Sequence, residues 1–440
     1  MAKLTFLGGV HPRDGKELSK DAQVIEVLPQ GDLVYPLSQH IGAPANPIVK
    51  KGDRVLVGQL IGEAEGFVSA NIHASVSGTV KAIEPRTVAN GSKIMSVIVE
   101  NDGLYEEAPL LETTETEEKE QILDLIRQAG IVGMGGAGFP THVKLAPKDA
   151  SAIEYIIVNG AECEPYLTSD YRRMLDTPEL IVEGLELVLK LFINAKGIIA
   201  VEDNKKDCIK KLTAAAAENS RIEVVTVKTK YPQGGERALI FATTGRKINS
   251  DMLPSDVGCI VNNLDTIYEI RRAVVERKPL ISRLVTVTGD AVVNPANFLV
   301  RLGTNHQEVA EAAGGFHCEP EKIISGGPMM GVAMYTLDVP VTKGSSAILA
   351  MKEDEVAKAQ QQETNCINCG RCVSGCPGRV IPSRLADFAK QRNREMFEKY
   401  QGMECCECGC CSYICPAKRN LTQAIKTYRR EILALRKMKK

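Results

Sequence analysis

The sequence is poor in several residue classes, and each shortage narrows what the protein can be. Tryptophan is absent and aromatics make up 5% of the 440 residues, too few for the stacking platforms used to bind single-stranded nucleic acid. Neither sign of charge dominates. There are 54 Lys and Arg against 55 Asp and Glu, a net charge of -1, so no overall field draws a polyanion to the surface. No run of about 18 apolar residues occurs, which removes bilayer-spanning helices. The opening MAKLTFLGGVHPRDGKELSK lacks the apolar stretch and small-residue cleavage site of a secretory signal. Hydrophobic content of 44% and charged content of 25% are ordinary for a soluble globular chain, and the length is that of about three domains.

What the sequence has in quantity is cysteine, and ten of its fourteen lie in the last fifth. Without an export signal these thiols read as belonging to a reducing compartment, where metal ligation is favoured over disulfides. Cys366, Cys369, Cys372 and Cys376 are spaced C-x2-C-x2-C-x3-C and followed by Pro377. Cys405, Cys408, Cys411 and Cys415 repeat that spacing, followed by Pro416. This is the bacterial ferredoxin pattern, in which three thiolates on a tight loop hold one [4Fe–4S] cluster and the fourth crosses to the other. The expected sets are therefore Cys366, Cys369, Cys372 and Cys415 for one cluster, and Cys405, Cys408, Cys411 and Cys376 for the second. Gly370 and Gly409 let backbone N–H groups come close. The competing reading is zinc, which prefers two separated C-x2-C pairs. Cys406 and Cys410 fall outside the register and read as spare thiols. Cys208, Cys259 and Cys318 read as small buried hydrophobes.

Along the chain, residues 1–35 are mixed, and Gly8-Gly9 before His11-Pro12 reads as a turn. From 36 to 105 the text is strand-like. Val55, Val57, Val76 and Val80 alternate with polar residues, broken by Gly52, Gly58, Gly62, Gly66 and Gly78, which suggests a small β-sandwich. It resembles the barrel-sandwich hybrid of biotinyl and lipoyl domains. The hairpin tip, however, reads Ser75-Val76-Ser77-Gly78, without the lysine that carries the cofactor there, and so reads as scaffold. Glutamates crowd 106–120, a solvated linker by composition. Ile122, Leu125, Ile126 and Ala129 at helical spacing open an α/β unit over 121–280, where ELIVEGLELVLKLF alternates with GIIAVED and IEVVTV. At 281–350, RLVTVTGDAVVNPANFLV followed by HQEVAEAAGGF has the order of a soluble-ligand-binding β-grasp (SLBB) domain. Residues 355–440 read as helical around the cysteine loops. The tail places Leu421, Ala424, Ile425, Tyr428, Ile432 and Leu435 at helical spacing, an amphipathic helix that covers the cysteine module or meets a membrane surface. The fold class expected is thus multidomain α/β and α+β.

Gly133-Met134-Gly135-Gly136-Ala137-Gly138 formally matches G-x-G-x-x-G, but a helix rather than a strand leads into it, against the dinucleotide fingerprint. Four stretches in order, GMGGAGFPTHVK, NGAECEPY, YPQGGERAL and VNNLDT, resemble the flavin- and NADH-binding subunit of respiratory complex I. That resemblance implies a loop of Gly133, Gly135, Gly136 and Gly138 around FMN, with Lys144 nearby. It implies Asn159 and Glu162 lining the flavin, Phe139 and Glu164 on the nicotinamide side as the catalytic pair, and Tyr231, Gly234 and Glu236 continuing the pocket. Asn262, Asn263 and Thr266 would hold the ribityl phosphate end. Glycines let a phosphate meet bare N–H groups, and buried asparagines match the donors and acceptors of an isoalloxazine edge. Met134, Ala161 and Gly235 stand where the family carries an arginine, an aspartate and a glutamate.

Two cysteine runs, GGVHP at the start and a barrel-sandwich stretch before the glycine loop give an arrangement that resembles the C subunit of the Rnf complex, a membrane-bound ferredoxin:NAD⁺ oxidoreductase. The resemblance implies two [4Fe–4S] clusters, FMN and NAD(H). It also implies a peripheral position on the cytoplasmic face of the membrane and the other Rnf subunits as partners, with ferredoxin reached through the complex and Na⁺ or H⁺ moved by it. A cobalamin reductase of bacterial microcompartments shares the flavin, β-grasp and two-cluster modules and is the competing enzyme. A non-enzymatic conduit with a degenerate flavin pocket is the competing reading of another class.

Overall fold

The computed structural model describes residues 4–438. Four folding units follow one another, and the start of the chain is woven through them. The strand Ile25–Val27 does not stay with its sequence neighbours: it pairs in parallel with Ala296–Arg301 at the edge of a distant sheet. The segment 1–35, unassigned by pattern, thus supplies an edge strand to the β-grasp unit.

The barrel-sandwich stretch forms a four-stranded sheet, in the order Leu33–Pro36, Lys93–Asn101, Gly78–Thr87 and Arg54–Val55, with a three-stranded sheet of Asn46–Pro47, Leu60–Glu63 and Ile72–His73. Alternation along these strands points Leu33, Tyr35, Ile61, Ile72, Val97 and Val99 into one core. The tip residues Ser75 and Ser77 are fully buried. Ser75 Oγ donates to Leu302 O of the β-grasp unit at 2.6 Å, so the hairpin tip is spent on domain packing.

The acidic linker is shorter than its composition suggests. Helix begins at Glu118, and the preceding residues are pinned by Ala108 N to Val57 O (2.8 Å) and Leu111 N to Arg277 O (2.9 Å). The helix Glu118–Gln128 buries Ile122, Leu125 and Ile126. Four parallel strands follow in the spatial order Ile222–Val227, Lys196–Glu202, Tyr155–Gly160, Cys259–Asn263. Apolar runs such as Ile156–Val158 are buried on both faces, as parallel strands covered by helices require. The chain moves outward over the first three strands and then returns to pair the fourth with the first. The strand order therefore reverses between Tyr155–Gly160 and Cys259–Asn263, and a crevice opens beyond their carboxyl ends.

The β-grasp unit is a six-stranded mixed sheet ordered Ile25–Val27, Ala296–Arg301, Ser282–Thr288, Ala347–Met351, Lys322–Ser325, Val332–Met334. The last unit is helical. Pro382–Lys390, Arg394–Lys399 and Leu421–Met438 enclose Leu385, Phe397, Ile425 and Ile432. The terminal helix buries Leu421, Ile425, Tyr428 and Ile432 while Leu435 stays exposed, so most of its apolar stripe covers the cysteine module. Each buried isoleucine there contributes about 1.5–3 kcal/mol. Cys208 and Cys259 are buried as expected, but Cys318 is exposed: it lies between the helix His306–Ala312 and the strand Lys322–Ser325, in a surface connection with no core to enter.

Candidate functional site

The crevice is lined by the ends of two strands. Asn159 Nδ2 donates to Gly234 O at 2.8 Å, which ties the strand Tyr155–Gly160 to the YPQGGE turn. Asn263 Oδ1 accepts from Asp265 N (3.0 Å) and Thr266 N (3.4 Å), capping the helix Leu264–Arg271. Its Nδ2 donates to Asp170 Oδ2 at 2.9 Å. Asn262 is different: it is buried, and neither its Nδ2 nor its Oδ1 has a hydrogen-bond partner among the described residues. An amide left so costs about 1–3 kcal/mol, a cost that a bound polar group would offset.

The glycine loop closes on itself through Gly133 N to Phe139 O at 2.8 Å. It is held over the helix Leu264–Arg271 because Met134 N donates to Thr266 Oγ1 at 3.0 Å. Met134 itself is buried, and its carbonyl accepts from Arg283 Nη2 at 3.3 Å. Between these ties Gly135, Gly136 and Ala137 are exposed. A Cβ on Gly135 would fall 2.7 Å from Asn263 Nδ2, whereas one on Gly136 would meet nothing within 4 Å. The fold itself demands the absence of a side chain at Gly135. At Gly136 the space stays open, as a phosphate-sized or ring-shaped ligand needs.

Around the crevice, Lys144 Nζ donates to Val261 O at 2.9 Å, and burial lowers its pKa while Glu236 opposes that shift. Glu236 opens the helix Glu236–Thr244. Glu162 Oε1 accepts from Asp170 N at 2.7 Å, and its Oε2 lies 3.5 Å from Lys16 Nζ in a buried pair. Glu164 turns away from this network. Its carboxylate accepts from Met329 N (3.2 Å) and Met330 N (2.9 Å) in the β-grasp loop, and burial pushes its pKa up to about 7. Phe139 is half-buried. Tyr231 is buried with its hydroxyl unpartnered among the described residues. Gly138 takes φ +70 and accepts from Ile41 N at 3.1 Å, which joins the loop to the barrel-sandwich unit. Sequence reasoning missed Lys16, Asp170 and the Met329-Met330 loop. Each is remote in sequence or sits in a stretch with no motif, so no local pattern pointed to them.

The two cysteine loops share a backbone. Asn368 and Glu407 (φ 56° and 57°), Gly370 and Gly409 (73° and 84°), and Arg379 and Lys418 (57° and 53°) all take left-handed conformations, at the same offset that separates Cys366 from Cys405. The thiols are gathered unequally. Cys376, Cys405, Cys408 and Cys411 line one small cavity, shared with Cys406 and Cys410, and burial pushes Cys405 and Cys411 up to about 12. Of the other set, Cys366 and Cys369 are exposed, while Cys372 and Cys415 pack at the edge of the helical core. No group of three or more His, Cys, Asp or Glu among the described residues is already arranged around a metal-sized centre. Four soft thiols around one cavity, beside a left-handed Gly409, are a donor set that suits an iron–sulfur cluster.

The two sites meet. Val10, Tyr231, Cys408 and Cys410 form one buried apolar cluster, flanked by Cys163, Met329 and Ile414. Arg237 Nη1 donates to Glu404 Oε2 at 2.8 Å, and Ser250 Oγ donates to Glu404 Oε1 at 2.5 Å, docking the cysteine module on the α/β unit.

Comparison with known proteins agrees with this division. Residues 4–104 match the RnfC barrel sandwich hybrid domain, residues 126–272 the Nuo51 FMN-binding domain and residues 284–333 the SLBB domain. Among solved structures, NAD+-reducing [NiFe]-hydrogenase in the air-oxidized state aligns with TM-score 0.50 at 23% identity, covering 65% of this chain and 56% of that one. The H2-reduced state aligns with TM-score 0.50 at 20% identity, covering 73% and 62%. At that identity the likeness is one of fold. No helix among the described residues is long and apolar enough to cross a membrane. The C subunit of the proton-translocating ferredoxin:NAD(+) oxidoreductase complex of Clostridium ljungdahlii is 44% identical over 432 residues, 97% of this chain and 94% of its own length. The C subunit of the Na(+)-translocating ferredoxin:NAD(+) oxidoreductase complex of Acetobacterium woodii is 45% identical over 436 residues, 98% of both chains. At that identity and coverage, the chain belongs to the family of C subunits of ion-translocating ferredoxin:NAD(+) oxidoreductase (Rnf) complexes.

Proposed function

We propose that this chain is the peripheral FMN- and NAD(H)-binding iron–sulfur subunit of an Rnf complex, on the cytoplasmic face of the membrane, passing electrons between NAD(H) and the membrane subunits. The observation that carries this reading is the buried, unsatisfied Asn262 amide at the carboxyl end of the strand Cys259–Asn263, one residue before the Asn263 that a side chain at Gly135 would strike. FMN, when bound, exchanges a hydride with nicotinamide and single electrons with an iron–sulfur centre. This chain's residues supply the setting. Gly135, Gly136 and Gly138 present bare N–H groups, Gly133 closes the loop through its own N–H to Phe139 O, Asn262 offers a donor and an acceptor, and Asn159, Gly234 and Tyr231 wall the crevice. Asn263 and Thr266 act by holding the loop and the helix in place. Glu236 and Lys144 set the charge at one end. Glu164, whose pKa burial raises to about 7, can keep or give up a proton on the nicotinamide side, to which Phe139 is also assigned. Cys405, Cys408, Cys411 and Cys376 would hold one [4Fe–4S] cluster, and Cys366, Cys369, Cys372 and Cys415 the other.

Anaerobic purification with an assay of iron, sulfide and acid-released FMN tests this. The expected content is about one FMN and about eight iron per chain. Zinc in place of iron, or no FMN, would sink the proposal. An FMN-free protein that retained its iron would favour the conduit reading. Reduction of cob(III)alamin by NADH with this protein alone would favour the cobalamin reductase, which family membership sets aside.

A further inference from the structure

The start of the chain has no part in the reading above, yet it touches every piece of it. Lys228 N donates to Leu4 O at 2.9 Å, and Lys230 Nζ donates to Phe6 O at 2.6 Å. Gly9 N donates to Gly375 O at 2.9 Å, beside Cys376. Val10 and Tyr231 then exchange two bonds, Val10 N to Tyr231 O at 2.8 Å and Tyr231 N to Val10 O at 2.9 Å. Further on, Lys16 Nζ donates to Glu164 O at 3.0 Å and to Leu167 O, and pairs with Glu162. Ser19 Oγ and Thr168 Oγ1 share a hydrogen bond of 2.7 Å.

The pivot of this strap is Gly8-Gly9. Both take left-handed backbone, φ +86 and +83. A Cβ on Gly8 would lie 2.7 Å from Cys376 O, and one on Gly9 would lie 2.7 Å from Tyr231 O. Two main chains from different folding units therefore approach the strap from its two sides, through the space that missing side chains leave. Val10 then seals the join, 4% exposed above Cys410, which is fully buried. Apart from the strap, this junction carries the part-buried contacts of Glu404 with Arg237 and Ser250 and a long contact of Cys410 Sγ with Tyr231 O at 3.9 Å.

We propose that Leu4–Ser19 is a clamp in which Gly8 and Gly9 are positioning residues that fix the Cys376 turn against the Tyr231 turn, with Lys16 as the anchor on the 162–167 loop. The clamp sets the placement of the two cofactor sites relative to each other, not the affinity of either, and in this it rests on the function proposed above. Electron passage between separated cofactors falls off exponentially with the distance between them, so a junction that loosens slows transfer without loss of either cofactor.

The test uses the full-length holoprotein with Gly9→Val, whose Cβ meets Tyr231 O, Phe6 and Lys230, and with Lys16→Met, which releases only the anchor. In both, FMN and iron content should equal the parent's, and in Gly9→Val NADH should bleach the flavin at the parental rate. Reduction of the iron–sulfur absorbance should slow severalfold, and Cys410 should become open to alkylation. Parental cluster reduction with Cys410 still protected in both variants overturns the clamp. So does loss of both cofactors in Lys16→Met, which would make the strap a general folding element. If the parent itself carried neither cofactor, the functional reading would fail. Cys410 alkylation faster in Gly9→Val than in that parent would still support the clamp, and equal rates would refute it.

Discussion

In the crevice at the strand reversal, almost every polar group is committed before any ligand arrives. Asn159 holds the Gly234 turn, Asn263 caps a helix and Thr266 ties the glycine loop, leaving the Asn262 amide and the Tyr231 hydroxyl open. In the cysteine module the backbone is set by paired left-handed residues and a helical core, while the thiols remain half gathered. One set lines a cavity and the other has two members in solvent. The first site is preorganised by hydrogen bonds made elsewhere in the fold. The second has loops of the right shape whose thiols must be drawn together by what they bind, because metal binding and local folding share one free energy.

The largest expected effect follows from that contrast. Removing iron from the holoprotein with a chelator under argon should raise amide hydrogen exchange across 363–377 and 402–417 by orders of magnitude, while exchange at 133–138 and bound FMN stay as they were. Cys372→Ser should produce the milder form, with flavin retained and electrons stopped before the exit. Concerted loosening of the glycine loop would show that the two sites are one cooperative unit and erase the distinction.

Next in size is the pair Gly136→Val and Gly135→Val. At Gly136 a side chain has open space, so stability should change by no more than about 0.5 kcal/mol while FMN affinity falls by about 100-fold or more. At Gly135 the side chain strikes Asn263, so stability itself should drop by about 1–3 kcal/mol. Chemical denaturation beside flavin titration separates the two. Equal destabilisation at both positions would mean that the open space is structural. Asn262→Leu sharpens the same point with opposite signs. The FMN-free protein should gain about 1 kcal/mol by losing an unsatisfied buried amide, and flavin binding should weaken.

Legibility in the sequence was uneven for physical reasons. The cysteine spacing and the apolar alternation of Val55, Val57 and Val80 are local patterns, and local patterns survive in a linear text. The glycine loop was legible as a loop, but whether Gly135 or Gly136 makes room for the protein or for a ligand depends on Asn263, well over a hundred residues later. The strand Ile25–Val27 carries no alternation that could announce a partner at Phe298, since an edge strand needs only one set of backbone bonds. Lys16 reads as a surface lysine and lies buried on Glu162 because three distant backbone carbonyls and carboxylates converge there.

The remaining effect is one of pH and concerns Glu164, which joins the crevice to the β-grasp loop. Burial raises its pKa from 4.5 to about 7, against the pull of the Met329 and Met330 N–H groups and of Lys16. The folded chain therefore binds this proton more tightly than the unfolded chain does. The stabilising share is complete below about pH 4.5 and is lost as the pH climbs to about 7. Asp170, raised from 3.8 to about 7 by burial and by Glu162 and Asp265, acts in the same direction, so some slope survives without Glu164. Glu164→Gln keeps an acceptor for one of the two N–H groups and cannot ionise. Its stability relative to the parent should grow from pH 5 to pH 8 by up to about 3 kcal/mol and then level off, as followed by thermal unfolding across that range. Parallel curves would place an ionised Glu164 in the folded protein throughout, and the carboxyl would then belong to the crevice's fixed charges and not to its protons.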